Sequence, residues 1–179
     1  TKMLLNEDLD IVDICTPPHT HTALSIQAAE SGRHILVEKP AALSLMEFEQ
    51  VDEACARNSV KICEIQQKMF EPVRLKALCK VRRGDIGEIL VVEVTSLLKR
   101  VSNLVEDKYH WCHGLPGGIF TEVLPHPIYL TQAFLGKVEP VAVHVRNIDI
   151  EDSRDKREIR IIMEGRTGVG VIIYSGNSV

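Results

Sequence analysis

The fold is decided by residues 10–44, which read DIVDICTPPHTHTALSIQAAESGRHILVEKPAALS. Two short apolar runs, residues 11–15 and 34–37, lack polar alternation and are typical of strands buried on both faces of a parallel sheet. Between them, residues 21–31 repeat apolar side chains at helical spacing, and Gly32 follows as a stop signal. The stretch therefore predicts a β-α-β unit.

The same rhythm continues to residue 66. Ser44 and Glu47 have the spacing of a capping box, which predicts a helix to about residue 57 that Asn58 ends in a left-handed conformation. Residues 60–65 predict a third strand. In such parallel sheets ligands bind beyond the carboxyl ends of the strands, so the turns after the strands are the candidate site.

The rhythm changes after a boundary near residues 66–70. Gly117 and Gly118 open a helical stretch that Gly136 ends, and strands without intervening helices follow it, which favours a largely antiparallel sheet. The predicted elements are a helix over 72–83, a strand over 87–98, the helical stretch to 135, and strands over 138–148, 156–164 and 168–174. We predict an α/β chain with two parts: residues 1–66 form part of a Rossmann-like parallel-sheet domain, and residues 67–179 form part of an α+β domain with an open, mainly antiparallel sheet.

Composition excludes several classes of protein. The chain is 45% hydrophobic and 26% charged with a net charge of −4, which argues against a nucleic-acid partner. No run approaches the length of a membrane span. Five cysteines without a C-x-x-C pair predict a reducing cytoplasm, no disulfide framework and no zinc site. Cys15 and Cys63 lie in apolar runs and are expected to be buried.

The phosphate-binding turn G-x-G-x-x-G, which normally opens a dinucleotide-binding domain, has no match. The late glycines, Gly165, Gly168, Gly170 and Gly176, have other spacings and precede no helix. We expect that the chain is an internal part of a longer protein with this turn upstream. These 179 residues alone should then bind dinucleotide very weakly and be inactive.

Three motifs occur in one order along the chain. The first is the Pro17 turn with His21 and then Glu38-Lys39-Pro40, the second is GDIGEIL at residues 84–90, and the third is PGGIFTEVLPHPIYLTQAFLG at residues 116–136. Together they resemble the glucose–fructose oxidoreductase and inositol dehydrogenase (Gfo/Idh/MocA) family. The resemblance implies NAD or NADP as cofactor, a sugar, inositol or related polyol as substrate, and a homo-oligomer formed through the C-terminal sheet.

The resemblance also implies catalytic roles. Lys39 would donate to the oxygen of the reacting hydroxyl, the alternative being an exposed lysine in a turn. His126 would be the acid/base, since imidazole exchanges protons near neutral pH. Glu122, where relatives more often have Asp, would share a helical face with His126 and orient it or bind substrate. Pro125 should kink or restart that helix.

Further residues are placed around the ligands. The resemblance places the nicotinamide ribose beside the turn formed by Thr16, Pro17 and Pro18. Many relatives have Asn where Pro18 stands. The nicotinamide itself would lie near His21, Glu38 and Lys39. The ring of His21 could equally cap the following helix. Trp111, in the segment Tyr109–His113, could stack on a sugar ring or simply pack, and a metal site there is disfavoured because a fourth ligand is missing.

The leading hypothesis is therefore an NAD(P)-dependent oxidoreductase acting on a CH–OH group. A non-catalytic relative that senses a dinucleotide or sugar, or that binds a partner protein, is the main alternative. A third possibility is elimination or glycoside cleavage through transient hydride transfer, which leaves no net reduced nicotinamide.

Overall fold

The computed structural model describes residues 2–97, 110–147 and 156–176. Two compact units divide the chain, Thr1–Gln66 and Gln67–Val179. No helix in these described ranges is long and apolar enough to cross a bilayer.

The first unit confirms the predicted parallel sheet. Its elements are α1 (Lys2–Asn6), β1 (Ile11–Ile14), α2 (His21–Glu30), β2 (His34–Val37), α3 (Leu45–Arg57) and β3 (Ile62–Glu64), with a 3-10 turn at Pro18–Thr20. The three strands are parallel and lie in the order β1-β2-β3, and α2 and α3 form the two crossovers between them.

One face of this sheet carries the core. Register places Ile14 beside Val37, and both are buried against residues of the two helices such as Ala28 and Ala54. Side chains alternate between the faces of a strand, so Asp13 points to the opposite face, which is exposed in the described part of the chain.

The expectation of burial on both faces is therefore wrong here, and so is the expectation that Cys15 and Cys63 are buried. Both cysteines are exposed. Leu36 of β2 pairs with Asp13 on one side and with Cys63 on the other, so Cys63 lies on the same exposed face as Asp13.

The ends of α3 are set by local hydrogen bonds. Ser44 is the N-cap and accepts a bond from the amide of Glu47 at 3.2 Å, as its capping pattern predicts. At the other end the left-handed residue is Ser59, with φ of 55°, whereas Asn58 has φ of −101°. The prediction for Asn58 is wrong, since Asn58 is a C-cap whose backbone and side-chain amides both donate to Ala54 O, and the left-handed conformation falls on the next residue.

The second unit contains a four-stranded mixed sheet in the order β4-β7-β6-β5. The pair β4–β7 is parallel and the other two pairs are antiparallel, as expected for a mainly antiparallel sheet. Its elements are α4 (Pro72–Arg82), β4 (Val91–Leu97), α5 (Ile119–Val123), α6 (Pro125–Leu135), β5 (Val138–Asn147), β6 (Lys156–Gly165) and β7 (Val169–Ser175), with 3-10 turns at Gln67–Phe70 and Trp111–Gly114.

The predicted strand over 87–98 begins later, because Gly87 takes a positive φ of 74° and β4 starts only at Val91. Residues 98 and 148 of the predicted strands lie outside the described residues.

The core of this unit lies between one face of the sheet and the helices α5 and α6. Ile161 and Ile172 of the sheet pack there with Phe120 of α5 and Leu135 of α6. The predicted single helix up to Leu135 is interrupted at Pro125, where α6 restarts because proline has no amide hydrogen to donate. Gly118, with φ of 60°, is the N-cap of α5.

Candidate functional site

The turns that follow β1 and β2 lie at one edge of the parallel sheet. Ile14 pairs with Val37, and the amide of Glu38 donates to Ile14 O at 2.9 Å, so the pairing continues to the ends of both strands. The turn Thr16–Pro18 and the turn Glu38–Pro40 therefore lie side by side. Thr16 and Pro17 are exposed there, while Pro18 is buried.

Lys39 is buried, with only 8% of its surface exposed. The alternative of an exposed lysine in a turn is therefore wrong. Its peptide bond to Pro40 is cis, and its amide donates to the carboxylate of Glu38 at 3.2 Å. Burial of an ammonium group is uncommon in proteins, which marks this position within the first unit.

His21 occupies the space between the same two turns. It is fully buried as the first residue of α2, with Nδ1 at 2.8 Å from Pro40 O and Nε2 at 2.7 Å from Thr16 O. The N-cap of α2 is Thr20, and no side chain bonds as a cap. The alternative in which the His21 ring caps the helix is therefore wrong, because both ring nitrogens face carbonyl oxygens of the turns.

Two acidic side chains fix the segment after Pro40, and sequence reasoning missed one of them, Glu64. Glu64, at the end of β3, accepts a bond from the amide of Ala41 at 2.8 Å, and Glu47 accepts one from the amide of Leu43 at 2.9 Å. The spacing Ser44–Glu47 predicts a local role for Glu47, but the partner of Glu64 depends on the pairing of β2 with β3. A pocket of about 360 Å³ lies beside this segment, lined by Ala41, Ala42, Ser44, Phe48, Glu64 and Gln66.

In the second unit, His126 lies in the first turn of α6 and contacts Tyr129. Nδ1 of His126 is 2.8 Å from the Tyr129 hydroxyl, and the two rings meet edge to face at 5.6 Å. The hydroxyl oxygen also accepts a bond from the amide of Lys68 at 3.3 Å, and its second lone pair can accept a hydrogen from Nδ1 of His126. Tyr129 was missed from the sequence, although its i+3 spacing from His126 on a helix could have indicated it.

Glu122 and His126 lie on successive helices. Glu122 is in α5 and His126 in α6, with Leu124 between them in a helical conformation. The amide of Leu124 bonds Phe120 O at 2.9 Å, so the chain keeps a helical path up to the break at Pro125.

Trp111 begins the 3-10 turn Trp111–Gly114 and is 40% exposed. Its ring lies 5.0 Å from that of His110 at a tilt of 40°, while Cys112 is fully buried. Tyr109 lies outside the described residues. Among those that are described, no group of three or more His, Cys, Asp or Glu side chains could hold a metal ion.

Three ionisable groups among the described residues have raised pKa values, namely Cys15, Cys55 and Tyr174. The hydrogen bond to Asp13, together with burial and the charges of Asp13 and Glu38, raises the pKa of the Cys15 thiol. Burial, followed by the charge of Cys112, raises the pKa of Tyr174 in the second unit.

Comparison with known proteins gives two family matches. The model described as "Oxidoreductase family, NAD-binding Rossmann fold" matches residues 1–66, and the model described as "GFO/IDH/MocA C-terminal domain" matches residues 75–178. Together they cover both compact units.

Individual relatives are more distant. Oxidoreductase P35 of Formosa agariphila is 28% identical over 144 residues, covering 78% of this chain and 44% of P35. A glycosyl hydrolase family 109 protein of Shewanella baltica is 35% identical over 88 residues, covering 49% of this chain and 19% of that protein.

A solved structure shares the whole fold. The WlbA dehydrogenase of Bordetella pertussis, crystallised with NADH and UDP-GlcNAcA, superposes with a TM-score of 0.85 at 22% identity, covering 99% of this chain and 51% of that one. The chain thus spans about half the length of such relatives. The first unit matches the N-terminal model of one family and the second unit matches the C-terminal model of the same family. The chain therefore belongs to the GFO/IDH/MocA family of NAD-binding oxidoreductases.

Proposed function

We propose that the protein transfers hydride between NAD or NADP and a hydroxyl group of a sugar, inositol or related polyol. The observation that carries the proposal is the burial of Lys39 at the carboxyl edge of the parallel sheet, beside the exposed turn Thr16–Pro18. Ligands of open α/β sheets bind at this edge, and the matched family is an NAD-binding one.

The residues at this edge fit the nicotinamide end of a dinucleotide. When bound, that ring would give up or take the hydride. Thr16 and Pro17 offer an exposed backbone surface for the ribose, and Glu38 and Lys39 add polar groups on the neighbouring turn. The 179 residues include no G-x-G-x-x-G turn for the pyrophosphate, so we expect this chain alone to bind dinucleotide weakly and to be inactive.

Lys39 and His126 take separate roles in the proposal. The ammonium group of Lys39 stabilises negative charge on the substrate oxygen, because a buried cation acts strongly where water is excluded. His126 accepts or returns the hydroxyl proton, with its ring held by Tyr129 at 2.8 Å. Glu122 and Trp111 are proposed to bind substrate hydroxyls and a sugar face.

The test is a substitution in the full-length protein. Lys39→Ala should lower kcat by about 10² to 10³, the range for loss of one such donor. The readout is absorbance of reduced nicotinamide with a panel of sugars, inositols and sugar nucleotides. Lys61→Ala is the matched control, because Lys61 is exposed just before β3, at the opposite end of the sheet.

An unchanged kcat in Lys39→Ala would contradict the role of Lys39. Dinucleotide binding without turnover on the whole panel would instead favour a non-catalytic sensor.

A second candidate is glycoside cleavage through transient hydride transfer. It is favoured by the likeness to the Shewanella baltica protein named a glycosyl hydrolase. Release of free sugar or aglycone without accumulation of reduced nicotinamide would support this candidate over the dehydrogenase.

We also propose that the protein is cytoplasmic and forms a homo-oligomer. Cys15, Cys55, Cys63 and Cys79 are thiols rather than halves of disulfides, as in reducing compartments. The outer face of the second sheet exposes apolar side chains on three strands, including Val91, Ile162 and Val169. Such a patch is typical of a protein contact.

A further inference from the structure

The imidazole of His21 is surrounded by hydrogen-bond acceptors. Its two ring nitrogens lie 2.8 Å from Pro40 O and 2.7 Å from Thr16 O, and both partners are backbone carbonyls. A carbonyl oxygen can only accept. A neutral imidazole carries one N–H, so it can satisfy one of these carbonyls and turns a lone pair toward the other. Both contacts are hydrogen bonds only when both ring nitrogens carry hydrogen.

The ring is closed off from water. His21 has no exposed surface, and within the described part of the chain neither ring nitrogen has a carboxylate partner. The ionisable groups on the surrounding elements are His19 on the turn after β1, Glu38 and Lys39 on the turn after β2, Glu47 at the start of α3, and Glu64 at the end of β3.

The two turns that the ring joins are themselves ordered. In the first, the hydroxyls of Thr16 and Thr20 lie 2.6 Å apart, and Thr20 donates to Pro17 O through both its hydroxyl and its amide. In the second, the amide of Ala41 is held by Glu64. His21 is the side chain that bonds to both turns at once, so it sets the distance between Thr16 and the Lys39-Pro40 segment.

We propose that His21, with hydrogens on both ring nitrogens, is a positioning residue that clamps the turn carrying Thr16 to the turn carrying Lys39. This inference rests on the proposed dinucleotide-dependent function and deepens it. While both bonds are present, the distance between the turn carrying Thr16 and the turn carrying Lys39 is fixed. Loss of a ring proton breaks one of the two bonds and releases that spacing.

The first experiment reads the ring directly. Full-length protein with ¹⁵N-labelled histidine is followed by NMR from about pH 6 to about pH 9, with the His21 signals assigned from a His21→Gln variant. Both ring nitrogens of His21 should show the shifts of N–H groups at neutral pH. A neutral ring at that pH, with one nitrogen bare, would overturn the proposal whether or not the protein has the proposed activity.

The second experiment reads the consequence for binding. Affinity for NAD or NADP is measured by calorimetry at neutral pH. In His21→Gln it should be weaker by about tenfold, because the ring that bonds to both turns is lost. His19→Ala is the matched control, since His19 is an exposed histidine in the same turn and should keep the wild-type affinity.

The outcomes separate the two proposals. A protein that binds no dinucleotide under any condition rejects the proposed function, and the NMR result still decides the state of His21. Wild-type affinity in His21→Gln would overturn the positioning role.

Discussion

Tyr129 determines which atoms of His126 are available for proton transfer. The Tyr129 hydroxyl contacts Nδ1 of His126, and its oxygen accepts a hydrogen bond from the amide of Lys68. When Nδ1 carries the ring hydrogen and donates it to the Tyr129 hydroxyl, the lone pair of Nε2 is left to accept the substrate proton. The orientation of the proposed acid/base therefore depends on a second residue of the same motif.

We predict that Tyr129→Phe lowers kcat about tenfold, because the His126 ring loses its orienting hydroxyl while the edge-to-face packing remains. Stability should fall by only about 1 kcal/mol, the net value of one hydrogen bond. Steady-state kinetics and urea denaturation of the full-length protein measure the two effects.

The control is Tyr174→Phe. The Tyr174 hydroxyl is buried without a hydrogen-bond partner among the described residues, so its removal should leave kcat unchanged and stability equal or higher. Equal losses of kcat in both variants would contradict the specific role of Tyr129.

The thiol of Cys15 gives a prediction about pH. Its raised pKa leaves a smaller thiolate fraction at neutral pH, and thiolate is the reactive form. Cys15 should therefore react slowly with iodoacetamide despite its exposure. Asp13→Asn removes the charge beside the thiol and should speed the reaction several-fold at about pH 7.5.

Mass spectrometry of the modified peptides measures this rate. Cys63, exposed on the same sheet face, serves as the internal reference, since its rate should change little in Asp13→Asn. An unchanged Cys15 rate would show that Asp13 does not control the thiol.

At the scale of elements, α6 and β7 approach each other closely at Gly170. A Cβ atom at this position would lie 2.6 Å from Cγ2 of Thr131 and 3.3 Å from Met163. Thr131 cannot turn away freely, because it is fully buried and its hydroxyl donates to Pro127 O at 2.9 Å. The absence of a side chain at Gly170 thus sets the separation of helix and sheet beneath His126.

We predict that Gly170→Ala destabilises the protein by about 1 to 3 kcal/mol, the usual cost of overpacking a core. Gly114→Ala is the control, since a Cβ there meets no atom within 4 Å. Adding Thr131→Ser to Gly170→Ala removes the clashing methyl and should recover most of the loss, as measured by chemical denaturation. Without recovery, the contact with Thr131 would not be the cause.

At the scale of the whole molecule, the second sheet has one face packed on α5 and α6 and the other exposed. Strand register places Val91, Val169 and Ile162 on the exposed face, which also carries the charged residues Glu93, Arg160 and Glu164. Ile162 lies on a central strand of the sheet and is 43% exposed. A single exposed apolar residue is common in proteins, but a group of them on one face favours a protein–protein contact.

We predict that Ile162→Lys shifts the full-length protein toward monomer, because a charge buried in a contact without a partner is costly. Light scattering after size-exclusion chromatography measures the mass. Val73→Lys, a like change at an exposed apolar position on α4, should leave the mass unchanged. Retention of the wild-type mass in Ile162→Lys would exclude this face as the contact.

The parts of the structure that sequence predicted are those with local causes. The β-α-β-α-β order follows from apolar spacing, and the Ser44 cap and the restart at Pro125 follow from side-chain and backbone chemistry within one turn. The parts that it missed depend on distant neighbours. Nothing near His21 in sequence indicates Pro40 O as its partner, and the exposure of Cys63 depends on which sheet face the helices cover.

The position of β7 has a consequence for the order in which the second unit can fold. This strand lies inside the sheet, between β4 and β6, and its residue Val169 pairs with Val91 of β4. During synthesis β4 leaves the ribosome long before β7 exists, so it must wait without this pairing until residues 169–175 have emerged. Contacts of such long sequence separation slow folding and leave apolar strands open to aggregation. Expression of this unit should therefore depend on chaperone capacity far more than its modest size suggests.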